Sequence, residues 1–153
     1  MLELRYEFLC DLTGTLDDSQ EIGNGPKGLR QIAPVTGGTF EGPKMKGKVL
    51  PFGADWMITR PDGTWDLDIR VTLETDDGEL IYAYYRGIID VSPEIHERIY
   101  SKGEDVDPSE YYFRTSPVFE TGSEKYKWLN KIVCVGVGKL FPGKVEYKIY
   151  QIL

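Results

Sequence analysis

The chain carries one histidine, His96, and two cysteines, Cys10 and Cys134, in 153 residues. One imidazole cannot build a histidine metal site, and neither cysteine sits in a CxxC or zinc spacing. The expectation is no metal, and two buried thiols in a reducing cytoplasm. Basic residues are also in deficit, 18 Lys and Arg against 25 Asp and Glu, for a net charge of −7. That balance opposes binding to nucleic acid or to an anionic membrane surface, since both require basic surface. No apolar run reaches ten residues, so nothing is long enough to span a bilayer as a helix. The segment Met1-Leu2-Glu3-Leu4-Arg5-Tyr6 lacks the form of a signal peptide, which adds to the cytoplasmic expectation. Neither GKS/T nor GxGxxG occurs, so no nucleotide fingerprint and no organic cofactor are expected.

What is present reads as sheet. Hydrophobic content of 41% and charged content of 28% place the chain among ordinary globular domains, and its length fits one domain over residues 1–153. Trp65 to Thr75 alternates without a slip. Trp65, Leu67, Ile69, Val71 and Leu73 point one way, and Asp66, Asp68, Arg70, Thr72 and Glu74 the other. Asp77-Gly78 is a hairpin signal, and the chain returns through Leu80 to Gly87 with Tyr82, Tyr84 and Arg86 on one face.

Further strands are expected at 3–12, at 29–35, at 44–50 with Met45 and Val49 inward, at 54–60, at 111–115, at 127–140 and at 144–153. The first has Leu4, Tyr6, Phe8 and Cys10 sharing a face, and Gly14 to Gly28 reads as a loop or distorted edge. Gly37-Gly38 marks a bend or barrel corner. Ser92-Pro93-Glu94 is a helix start, with Ser92 as N-cap, and predicts one short helix over 93–101. Short strands joined by hairpins imply an all-β fold, and the antiparallel β-barrel is favoured over the sandwich, with about 8–10 strands. A barrel of about eight strands can hold one small ligand inside.

Two readings stand for Asp68, Arg70 and Arg86. One is a solvated sheet face with surface ion pairs worth under about 1 kcal/mol. The other is a barrel interior, where buried charges are paired and mark function. In the second reading Tyr84 joins them across the hairpin, and Asp55 and Trp56 form the cavity wall after the bend at Gly53. Guanidinium groups in that position suit a carboxylate, enolate or phenolate.

Several segments together resemble a family. They are Thr36-Gly37-Gly38-Thr39-Phe40-Glu41-Gly42, Gly53-Ala54-Asp55-Trp56, Leu67-Asp68-Ile69-Arg70, Thr75-Asp76-Asp77-Gly78, Arg86-Gly87, Tyr112-Phe113-Arg114-Thr115, Phe119-Glu120 and Trp128-Leu129-Asn130-Lys131. The pattern, over roughly residues 3–151, is similar to that of uncharacterised-protein family 0311, the domain of unknown function 3237 of bacteria and fungi. The resemblance implies a single-domain antiparallel barrel of lipocalin or calycin-like shape and no settled function. It also brings Tyr112, Arg114, Trp128 and Asn130 to the expected pocket.

Two functions follow as expectations. One is a small-molecule-binding barrel with an interior pocket for an anionic or aromatic ligand. The alternative is a cofactor-independent enzyme of cyclase, isomerase or hydratase type. There Asp55, Asp68 or Glu120 would be the acid or base, and an arginine would stabilise the oxyanion. A buried carboxylate with a raised pKa would favour the enzyme. The partner expected is a small molecule, and assembly into a homo-oligomer is left open.

Overall fold

The computed structural model describes residues 2–153. Ten strands run β1 (Tyr6–Leu16), β2 (Gln20–Gly25), β3 (Gly28–Glu41), β4 (Lys46–Val49), β5 (Ala54–Thr59), β6 (Trp65–Thr75), β7 (Leu80–Asp90), β8 (Tyr112–Glu120), β9 (Val133–Phe141) and β10 (Lys144–Ile152). A helix α1 (Pro93–Tyr100) lies between β7 and β8. Its start is as expected: the Ser92 side chain accepts from the Ile95 N–H and Pro93 occupies the first turn.

The sheet closes on itself. Antiparallel neighbours run β1-β10-β9-β8-β7-β6-β4-β3, and β3 pairs back onto β1. The short strands β4 and β5 share one place in the ring, both lying between β3 and β6, so the barrel has eight positions. Strand β2 is a hairpin extension on β3, formed where the sequence reads as a loop. Strand β3 continues through Gly37 and Gly38, with φ of 155° and 144°, and an added Cβ at Gly38 would lie 1.8 Å from the Thr13 carbonyl oxygen. At the expected bend β3 pairs closely with β1, and the register shifts between Gly37 and Val35.

The interior is a packed apolar core. Leu67, Ile69, Val71 and Leu73 of β6 are all at most 4% exposed, and Tyr147 and Ile149 of β10 join them. Phe40, Met45, Leu73, Ile81, Phe119 and Leu129 fill one end. Two expectations of register fail. A bulge at Leu9 lets Leu9 and Cys10 both face inward, so Tyr6 and Phe8 do not share the Cys10 face. Residues Lys127–Lys131 form a 3-10 turn rather than the start of a long strand. Cys10 and Cys134 are free buried thiols, and burial pushes them up to about 12 and about 11. No helix among the described residues is long and apolar enough to cross a membrane.

Candidate functional site

Burial decides which face of β6 is inside. Four aliphatic side chains take the interior, so Asp68 and Arg70 point outward by the strand's period of two. The interior pocket expected around Asp68, Arg70, Tyr84 and Arg86 is therefore not there. Arg70 lies on the outer wall between two rings, 5.6 Å from the Trp56 centroid and 5.2 Å from that of Tyr84. Its Nη2 is 3.7 Å from Asp68 Oδ1, a distance too long for a hydrogen bond, and that oxygen has no hydrogen-bond partner. Trp56 also faces outward, as the neighbour of inward Asp55.

The remaining residues scatter. Glu120 is exposed at the end of β8. Trp128 sits on the 3-10 turn under Lys44, whose Nζ lies 5.4 Å from the ring centroid. Asn130 accepts from the Thr121 N–H at 2.8 Å and donates to the Thr121 carbonyl at 3.0 Å, which pins the loop after β8. Arg86, Tyr112 and Arg114 do converge, but on the outside. They line an open groove of about 590 Å³ across β7 and β8, with Asp66, Ile88 and Ser116 beside them. Arg114 lies 5.1 Å from the Tyr112 ring centroid and donates to the Phe113 carbonyl.

One candidate does lie inside. Strand β5 alternates Asp55 and Met57 inward against Trp56 and Ile58 outward. Asp55 is 9% exposed, the one buried carboxylate among the described residues. It pairs across to Ile69, but strand pairing between β5 and β6 lapses until Ile58 meets Asp66. In that gap the Asp68 N–H donates to Asp55 Oδ1 at 3.0 Å. The other oxygen, Oδ2, has no protein hydrogen-bond partner. Burial raises the Asp55 pKa to about 7, against the opposing pull of the Asp68 N–H and of the Arg30 charge, with the Asp68 charge adding to the rise.

Asp55 separates two spaces. Below it is an interior void of about 40 Å³ lined by Leu67, Ile69, Val71, Phe113, Tyr85 and Tyr147 among others. That volume suits a water molecule and no ligand. The rings of Tyr85 and Tyr147 meet edge to face with centroids 5.5 Å apart. Burial raises both phenols well above their ordinary value, so they stay protonated as hydrogen-bond donors. Above Asp55 the barrel opens into a mouth of about 350 Å³, within the range of small-ligand sites. Gln31, Met57, Trp65, Ile89, Phe141 and Val145 line it, and α1 contributes His96 and Tyr100 over the top. Trp65, His96 and Tyr100 form one aromatic wall: His96 lies 5.7 Å from Trp65 and 4.7 Å from Tyr100 by ring centroids.

None of Trp65, His96, Tyr100, Tyr85 or Tyr147 was marked by the sequence as a site residue. Trp65 and Tyr147 follow inward parity on their strands, which was the signal available. His96 and Tyr100 reach the mouth only because α1 folds back over it, a tertiary contact without a local signature. No group of three or more His, Cys, Asp or Glu side chains that could hold a metal ion occurs among the described residues.

A closed antiparallel barrel with a sealed lower end and one acid-floored mouth defines the class. The chain belongs to the family described as a protein of unknown function, DUF3237, which it matches over residues 4–152. A UPF0311 protein of Clostridium acetobutylicum is 42% identical over 98% of this chain and 95% of its own length. The crystal structure of a conserved protein of unknown function from Rhodopseudomonas palustris is 36% identical and superposes with a TM-score of 0.91, covering 100% of both chains. An enzyme from Penicillium herquei shares the fold at a TM-score of 0.73 and 22% identity, over 100% of this chain and 97% of its own.

Proposed function

We propose that this protein binds a small molecule in the barrel mouth and catalyses proton transfer on it without a cofactor, with Asp55 as general acid and base. The observation that carries this is the placement of Asp55: buried, with one oxygen held by a backbone N–H and the other free, at the junction of the mouth and the inner void. A carboxyl group with a midpoint near neutrality can give up a proton and take it back within one turnover. An ordinary surface aspartate is too weak a base and too rarely protonated for that. Tyr85 and Tyr147 line the void on the other side of Asp55 and stay protonated, so they set no charge against its carboxylate. The reactions served are those in which only protons and bonds within the substrate rearrange: isomerisation, ring closure, or gain or loss of water. The barrel fold accommodates catalysis in the Penicillium herquei protein, a likeness of scaffold alone.

The test compares small-molecule extracts incubated with the wild-type protein and with Asp55→Asn, read by mass spectrometry. Substrate–product pairs of equal formula, or differing by one water, appear with the wild-type protein and are absent with the variant. Equal turnover by both proteins refutes the role of Asp55. Products that gain or lose any other group refute the reaction class.

A second reading has its own support. The convergence of Arg86, Arg114 and Tyr112 in the outer groove favours a weak site there for an anionic aromatic molecule. Arg86→Ala with Arg114→Ala would abolish such binding and leave the mouth untouched.

A further inference from the structure

The mouth has a charge character of its own. Its lining holds three carboxylates, Asp55 at the floor and Asp17 and Asp18 at the rim, and no lysine or arginine. Cations near it are already engaged. Lys139 and Lys144 approach the Phe141 ring at 5.0 and 4.4 Å, but pair with Asp105 and Glu146 respectively. Arg30 donates to the Trp56 carbonyl at 2.6 Å and is absent from the lining. An entering carboxylate would lose its hydration beside Asp55 without gaining a counter-charge. An entering ammonium meets the opposite situation. Asp55 Oδ2 is free to accept from it, and Trp65 and Tyr100 put aromatic rings, which attract a cation, in the same lining.

Resting on the reading of the mouth as the ligand site, we propose that it selects small aromatic amines, bound as the ammonium with the charge on Asp55 and the ring against Trp65 and Tyr100. The sequence-based expectation of an anionic ligand is thereby confined to the outer groove. Two independent features converge on this choice: an aromatic wall built from β6 and α1, and a buried carboxylate, one oxygen of it unpartnered, in the lining of the same space. Uncharged aromatic molecules of the same shape keep the ring contacts and lose the ionic one, so they rank between amine and carboxylate.

Benzylamine, benzyl alcohol and benzoate share size and ring and differ in charge. Each is titrated at pH 8 into the full-length protein, and the Trp65 indole N–H is followed by nuclear magnetic resonance, with Trp65→Phe assigning the signal. Benzylamine is expected to shift that signal with an affinity about ten-fold or more above that of benzoate, a gap of about 1.4 kcal/mol. In Asp55→Asn the two are expected to fall within about three-fold. Benzoate binding at Trp65 as tightly as benzylamine overturns the charge selection while leaving the mouth as a proton-transfer site. An unchanged preference in Asp55→Asn overturns the role of Asp55 in recognition. Failure of all three probes to move the Trp65 signal at millimolar concentration overturns both the amine selection and the mouth as the ligand site.

Discussion

Replacing Asp55 by Asn removes a charge and keeps the shape. The amide oxygen still accepts from the Asp68 N–H, so the gap between β5 and β6 stays bridged. In the wild-type protein burial lifts the Asp55 pKa from 3.8 to about 7. The folded state therefore binds this proton more tightly than the unfolded state, and stability falls as pH rises between those values. The penalty is absent below about pH 4 and complete above about pH 7. At 1.36 kcal/mol per pKa unit, a shift of about 3 units corresponds to about 4 kcal/mol at pH 8. Asp55→Asn is thus expected to be about 2–4 kcal/mol more stable than wild type at pH 8, after allowance for an imperfectly paired amide. For a domain of this size that is a rise of roughly 4–16 °C in Tm. Urea unfolding at intervals from pH 5 to pH 8 reads the difference directly. Wild type should lose about 2–3 kcal/mol relative to the variant across that window. The lowered pKa values of Asp62 and Asp107 act elsewhere: the stability they contribute is present above the ordinary carboxylate range and lost as pH falls through it. A difference between the two proteins that stays flat from pH 5 to pH 8 would show that Asp55 is not raised by burial. So would a variant less stable than wild type at pH 8.

Other substitutions test the frame. Ile69→Asp places a charge at a position 4% exposed within the β6 layer, and is expected to cost several kcal/mol and abolish cooperative thermal unfolding. Gly138→Ala sets a methyl 2.5 Å from the ring of buried Phe113, and should cost about 1–3 kcal/mol in urea unfolding. Arg70→Ala, on the outer wall, removes two ring contacts, and should lower stability by about 1 kcal/mol or less while leaving benzylamine binding unchanged.

The strand pattern, the hairpin at Asp77-Gly78 and the capped helix at Ser92 were legible because each is written locally in residue type and spacing. Alternation in β6 defined two faces, but period alone does not say which face a closed sheet turns inward. Burial of Leu67, Ile69, Val71 and Leu73 leaves the outside for Asp68 and Arg70, since a small barrel has one interior and aliphatic side chains fill it at no desolvation cost. The same parity would have separated Asp55 from Trp56, two neighbours the sequence reading placed on one wall. Strand β2 and the 3-10 turn at Lys127 were hidden for a different reason. The glycine-rich stretch before Gly28 extends by pairing with β3, and the apolar run at Trp128 packs as a turn against the barrel. Tertiary contacts override local preference in both. The aromatic wall joins Trp65 to two residues more than 30 positions further on, and only the return of α1 over the mouth assembles it.

One carboxyl group, half-protonated near neutral pH inside the barrel, carries the proposed chemistry. Carbon-13 nuclear magnetic resonance of the labelled side-chain carboxyl of Asp55, assigned with Asp55→Asn and followed from pH 3 to pH 9, measures its midpoint directly. Titration near pH 7 is expected. A midpoint near pH 4, the ordinary value for an aspartate in water, would contradict it.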